Sequence, residues 1–253
     1  MRLSEAPSPN FNERTHAIDM LVLHYTGMET GEAALERMRD PQSSVSAHYM
    51  VWEDGTVVQL VVEEKRAWHA GVASWQGDED LNSHSIGVEI VNGGHDWPKK
   101  DGSLPPYPDV QIAGVISLCK AILARHDIPA ARIVGHSDIA PARKADPGEH
   151  FPWDRLARAG IGIWPPEDEN VRANVWGTGL GPRDSGPPVL RLKDSLREIG
   201  YSVPETADFD AELGAILTAF QRRWRPAAVT GLADPMTIAR IEQVRATLSF
   251  YPQ

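Results

Sequence analysis

The sequence predicts an α/β protein that ends in a small helical bundle. Three observations carry this reading. Short apolar, β-branched runs alternate with helix-spaced patterns as far as residue 166. The stretch 170–188 is rich in glycine and proline and has little apolar periodicity, as a linker does. Three further helix patterns then fill 189–248 with no strand between them. The expected organisation is a domain over 1–168, a linker over 169–188 and a helical domain over 189–253.

Taken in order, residues 1–17 read as an extended arm. Residues 18–23 read as a buried strand that runs into His24-Tyr25-Thr26-Gly27, at the rim where α/β proteins place ligands. Residues 31–39 form a helix pattern that stops ahead of Pro41, because the residue before a proline disfavours helix. Residues 46–52 and 56–61 form a hairpin about Asp54-Gly55. In 85–92, Ile86, Val88 and Ile90 alternate with Gly87, Glu89 and Val91. A central strand would bury Glu89 and raise its pKa, whereas an edge strand would leave it in water. Residues 109–126 form a helix with Asp109 as N-cap. Its expected apolar face is Val110, Ala113, Ile116, Leu118, Cys119, Ile122 and Leu123. His126 in its last turn meets the helix dipole. A short strand at 132–134 delivers His136, and a short helix covers 154–158. The closing helices span 189–199, 209–224 and 234–248, the last with Pro235 in its first turn.

Composition narrows the function. A hydrophobic content of 42% and a charged content of 24% suit a soluble globular chain. The net charge of −10, with no basic patch, argues against nucleic acid as a partner. The single cysteine, Cys119, offers no disulfide framework. The start is polar and proline-rich, without an apolar leader region or a lipid-acceptor cysteine. No apolar run approaches the roughly 20 residues of a membrane span. The expectation is a cytoplasmic monomer, or a periplasmic one if a leader has been removed.

The chemistry concentrates in 136–148, His-Ser-Asp-Ile-Ala-Pro-Ala-Arg-Lys-Ala-Asp-Pro-Gly. Here His136 and Asp146 can bind one metal ion while Lys144 faces the substrate. The Lys-x-Asp spacing puts Lys144 and Asp146 on one side of an extended segment. A catalytic zinc takes three protein ligands and a water, so a third ligand must come from elsewhere. His24 can supply it, with Glu89 as the proton-transferring carboxylate. The residues alone leave rivals: Asp138 for Asp146, and His48, His69, His84, His95 or His150 for His24.

A resemblance selects among them. The 136–148 loop, followed by Phe-Pro-Trp, resembles the zinc-site loop of the AmpD/AmiD family of N-acetylmuramoyl-L-alanine amidases. Leu-Val-Leu-His-Tyr-Thr (21–26), Ser-Ala-His-Tyr (46–49), Trp-His-Ala-Gly (68–71) and Ser-Ile-Gly-Val-Glu-Ile (85–90) agree in order. Gly-Ile-Gly-Ile-Trp-Pro (160–165) and the helical C-terminal part are similar to the two-domain AmiD type. The resemblance implies a mixed central β-sheet flanked by helices, shared with peptidoglycan recognition proteins, and a C-terminal peptidoglycan-binding-like domain. It implies zinc on His24, His136 and Asp146, with Glu89 as general base and acid and Lys144 stabilising the transition state. His48 and His69 would line or support the cleft, and Asp138 would brace the loop through backbone hydrogen bonds. The implied partner is peptidoglycan or a muropeptide. The alternative is a non-catalytic peptidoglycan-binding protein, which would bind muropeptides without turnover.

Overall fold

The computed structural model describes residues 3–166 and 179–250. The strands are β1 (Leu3–Glu5), β2 (Phe11–Glu13), β3 (Met20–Tyr25), β4 (Tyr49–Val51), β5 (Val57–Gln59), β6 (Lys65–Ala67), β7 (Ser85–Ile90) and β8 (Ile133–Gly135). The helices are α1 (Gly31–Arg39), α2 (Leu81–His84), α3 (Asp109–Leu123), α4 (His136–Ile139), α5 (Trp153–Arg158), α6 (Pro187–Ile199), α7 (Ala211–Trp224) and α8 (Pro235–Leu248). Six strands form one mixed sheet in the order β1-β5-β4-β7-β3-β8, and β2 pairs with β6 in a separate ribbon. Only β4 and β5, joined by the expected Asp54-Gly55 turn, are antiparallel within the large sheet. The α/β class and the flanked mixed sheet are therefore as expected.

The period-2 pattern of β3 and β7 organises the molecule. Leu21, Leu23 and Tyr25 share one apolar core with Ile86, Val88 and Ile90, under α3. On the opposite face β3 presents Met20, Val22 and His24. Their register partners on β7 are Ser85, Gly87 and Glu89. One side of this sheet is a hydrophobic layer under α3; the other carries Met20 and Val22, in an apolar cluster shared with the C-terminal helices, and the polar residues singled out above. Glu89 lies on a central strand, between β4 and β3.

Two expectations are corrected. Residues 1–17 are more than an extended arm, because β1 pairs with β5 and β2 with β6. These three-residue strands are exposed and held by backbone hydrogen bonds, so no apolar alternation marks them. Helix α3 ends at Leu123, and Pro108 rather than Asp109 occupies its N-cap position. Its buried stripe runs through Ile112, Val115, Leu118, Cys119 and Ile122, while Val110 is exposed. The polar Gln111 is buried in its place, since its amide donates to the carbonyls of Val91 (2.8 Å) and Val51 (3.3 Å).

The helical part forms as expected. Asp210 and Asp234 cap α7 and α8 by accepting from the Leu213 and Thr237 backbone N–H groups. Of the expected linker, 169–178 lies outside the described residues; beyond it Leu180 pairs with Ala233 and α6 begins at Pro187. The helices share an apolar cluster with the sheet: Met20, Val22, Val134 and Ile139 pack with Val189, Leu196, Leu213 and Phe220. Among the described residues no helix is long and apolar enough to cross a membrane.

Candidate active site

Three adjacent parallel strands build the site. Leu23 of β3 pairs with Gly135 of β8, so His24 and His136 emerge side by side at the same sheet edge. His24 is in register with Glu89 of β7, and such neighbours point to the same face. The loop after α4 then folds back. The Ser137 N–H donates to the Asp146 carbonyl at 2.8 Å, and the Lys144 N–H to the Ala140 carbonyl at 3.0 Å. This loop packs against Gly135, where a Cβ would come within 2.6 Å of Pro147 Cδ.

Three donor atoms converge as a result. His24 Nδ1 lies 2.9 Å from Asp146 Oδ2 and 3.0 Å from His136 Nδ1. His136 Nδ1 is 3.1 Å from the same Asp146 oxygen. All three side chains are buried. His136 Nε2–H donates to the Ala70 carbonyl at 3.0 Å, so Nδ1 is the acceptor nitrogen of the neutral ring. Burial, with His136 alongside, pushes the His24 imidazole down to about 4. Burial alone would raise the Asp146 carboxyl, but the two imidazoles outweigh it and hold it well below the carboxylate range. Two imidazole nitrogens and a carboxylate oxygen thus face one point, a donor set suited to a cation. Their spacing suits three ligands roughly 2 Å from one ion. The group can therefore hold a metal.

Glu89, His136, Lys144 and Asp146 line a cleft of about 440 Å³, and the buried His24 contacts both His136 and Asp146. Burial pushes the Glu89 carboxyl well above its usual range, and the Asp146 charge adds to this. Its Oε2 is buried without a hydrogen-bond partner, an arrangement that costs free energy unless it serves a ligand. Lys144 makes no side-chain hydrogen bond or ion pair among the described residues, and its charge opposes the rise at Glu89. The structure thus brings all five expected residues together.

Of the rivals, His69 and His95 share the cleft without joining the three-donor group, and the others fall elsewhere. His69 lines the cleft, whereas His48 supports it from behind, accepting from the Gly87 N–H and donating to the Lys65 carbonyl. Asp138 accepts from the Gly135 N–H at 2.9 Å, as expected, and also binds Arg223 and Tyr201. His84 joins Asp19 and Asp78 in a second, half-buried cluster. There Arg132 already bridges both carboxylates at 2.9 Å. Sequence reasoning missed Arg37 and Met38 of α1, and Asp96, which help to wall the cleft. Isolated residues in ordinary helix and loop contexts carried no signal for that placement.

Comparisons with known proteins agree with this geometry. Residues 14–149 match the model of the N-acetylmuramoyl-L-alanine amidase family, and residues 185–241 match a putative peptidoglycan binding domain. The chain is 38% identical to the amidase AmiD of Escherichia coli K12 over 235 residues, covering 89% of this chain and 81% of that one. It is 34% identical to the 1,6-anhydro-N-acetylmuramyl-L-alanine amidase AmpD of Citrobacter freundii over 169 residues, 59% of this chain and 86% of the relative. The structure of the complex of E. coli AmiD with the substrate anhydro-N-acetylmuramic acid-L-Ala-D-gamma-Glu-L-Lys superposes with a TM-score of 0.77 at 34% identity, over 94% of this chain and 98% of that one. AMPDH3 of Pseudomonas aeruginosa, in complex with anhydromuramic pentapeptide, also gives 0.77 and 34%, over 96% of each chain. The chain therefore belongs to the AmpD/AmiD family of N-acetylmuramoyl-L-alanine amidases.

Proposed function

We propose that this chain is a zinc-dependent N-acetylmuramoyl-L-alanine amidase. It would hydrolyse the amide between (anhydro-)N-acetylmuramic acid and L-alanine in peptidoglycan fragments, in cell-wall turnover and recycling. The region 1–168 would carry the chemistry, and 189–253 would form a peptidoglycan-binding-like unit. The observation that carries this reading is the buried triangle of His24, His136 and Asp146 beside an unpartnered Glu89 oxygen. The anhydromuramyl peptides bound to AmiD and AMPDH3 support the substrate class.

His24, His136 and Asp146 would hold the zinc. When bound, it supplies Lewis acidity, polarising the scissile carbonyl and acidifying a water molecule. Glu89 takes a proton from the attacking water and delivers it to the departing amine nitrogen. Its raised pKa suits both halves of that transfer. The Lys144 ammonium offsets the negative charge that develops on the carbonyl oxygen.

The test is mass spectrometry of products from anhydro- and reducing-end muropeptides, before and after chelation, with metal content measured alongside. Release of free peptide should require the metal and return on adding zinc. Undiminished release after complete metal removal would contradict the proposal, and binding without turnover would favour a non-catalytic peptidoglycan-binding protein.

A further inference from the structure

We infer that Ser85 and His69 act as positioning residues that fix the tautomer of His24, keeping its Nδ1 free of a proton and open to the metal. The inference rests on the metal-site reading above and names what prepares one ligand for it.

The argument is a chain of hydrogen bonds whose direction is forced from one end. The Ser85 hydroxyl lies 2.5 Å from the Leu81 carbonyl, which only accepts, so its single proton points there. The same oxygen is 3.2 Å from His69 Nε2 and must therefore accept, so His69 carries its proton on Nε2. His69 Nδ1 is then a bare acceptor. It lies 3.1 Å from His24 Nε2, which must donate to it. The proton of a neutral His24 is thereby held on Nε2. Its Nδ1, turned toward His136 and Asp146, keeps a free lone pair. His136 reaches the same state in one step, through its bond to the Ala70 carbonyl.

The frame around His69 maintains this alignment. Asn82 Oδ1 accepts from the backbone N–H groups of His69 (2.9 Å) and Ala70 (2.8 Å), fixing the segment that carries the ring. The imidazole lies flat against β7 at Gly87, where a Cβ would come within 2.4 Å of His69 Cγ. Any larger residue at 87 would drive the ring away from both Ser85 and His24. Loss of a group that orients a ligand imidazole typically lowers metal affinity 10–100-fold.

Long-range ¹H–¹⁵N correlation spectra of the metal-free full-length chain read the tautomers directly. His24 and His69 should both appear as the Nε2–H form; a proton on Nδ1 of either ring overturns the inference. Zinc affinity, measured by chelator competition, should fall about 10–100-fold in His69→Leu. His69→Gln, whose amide oxygen can still accept from His24, should recover most of that loss; equal losses in the two variants, or none, also overturn it. Should the variants fail to fold, the spectrum of the unaltered chain decides alone. A chain with the stated tautomers that binds no zinc would instead refute the metal-site reading and leave the hydrogen-bond chain standing.

Discussion

Glu89 owes its chemistry to the position of its strand. On a solvated edge it would be an ordinary surface carboxylate; on central β7, burial raises its pKa and leaves Oε2 unpartnered at the cleft. Glu89→Gln keeps the shape and removes proton transfer, so kcat should fall about 10²–10⁴-fold with zinc still bound, as steady-state kinetics and metal analysis would show. Lys144→Met should lower kcat about 10²–10³-fold, again at full metal content. A fall in bound zinc in either variant would assign the residue to the metal's support instead. At this scale much was legible. His24, Glu89, Lys144 and Asp146 stand in short motifs whose residue types match one reaction. Ser85, Asn82 and Gly87 were not legible as supports, because their roles depend on which side of His69 each one meets. That is a relation between segments distant along the chain.

The elements were read less evenly. Strands β3 and β7 were clear because they are covered on both faces and therefore continuously apolar or nearly so. Strands β1 and β2 were hidden, since three exposed residues paired through backbone groups leave no side-chain pattern. The buried face of α3 was assigned to a neighbouring stripe because Gln111 is a core residue in this setting. His126, just beyond α3, has a partner that the helix dipole did not suggest. With Arg125 and Tyr49 it binds Glu63, in the loop between β5 and β6. Burial alone would raise the Glu63 carboxyl, but the Arg125, His126 and Tyr49 bonds bring it from 4.5 down to about 2. A depressed folded-state pKa gives stability that is present above the unfolded value and lost as pH falls through the folded one. Glu63 should therefore contribute about 2–3 kcal/mol above pH 4.5, lost toward pH 2. Denaturant titrations of Glu63→Gln should show a flatter pH dependence across that window, and an unchanged slope would contradict the assignment.

At the scale of the whole molecule, the sequence located the helical part and its three helices but not how it docks. Its composition left open whether the linker wraps or spaces and whether the module binds or packs. In the structure α7 presents Arg223 to the segment that carries His136. The guanidinium binds Asp138 at 2.8 Å and the Ile133 carbonyl at 2.8 Å, and stacks between Trp153 and Trp224, each ring centroid 4.3 Å away. Tyr201 donates to the other Asp138 oxygen at 2.7 Å. Asp138 and Arg223 are only 1% and 4% exposed, so removing one charge strands the other. Arg223→Met should cost about 3–5 kcal/mol by chemical denaturation, and a cost below about 1 kcal/mol, the range of surface pairs, would show that water compensates the carboxylate. The apolar layer that joins Met20 and Val22 to Leu196 and Phe220 has a consequence for how the molecule comes apart. Two regions built on one core melt together. Calorimetry should record a single heat-absorption peak with equal calorimetric and van't Hoff enthalpies, not two resolved ones. A fragment ending at residue 166 would present that bared sheet face to water and should precipitate or self-associate, rather than persist as a free-standing hydrolase.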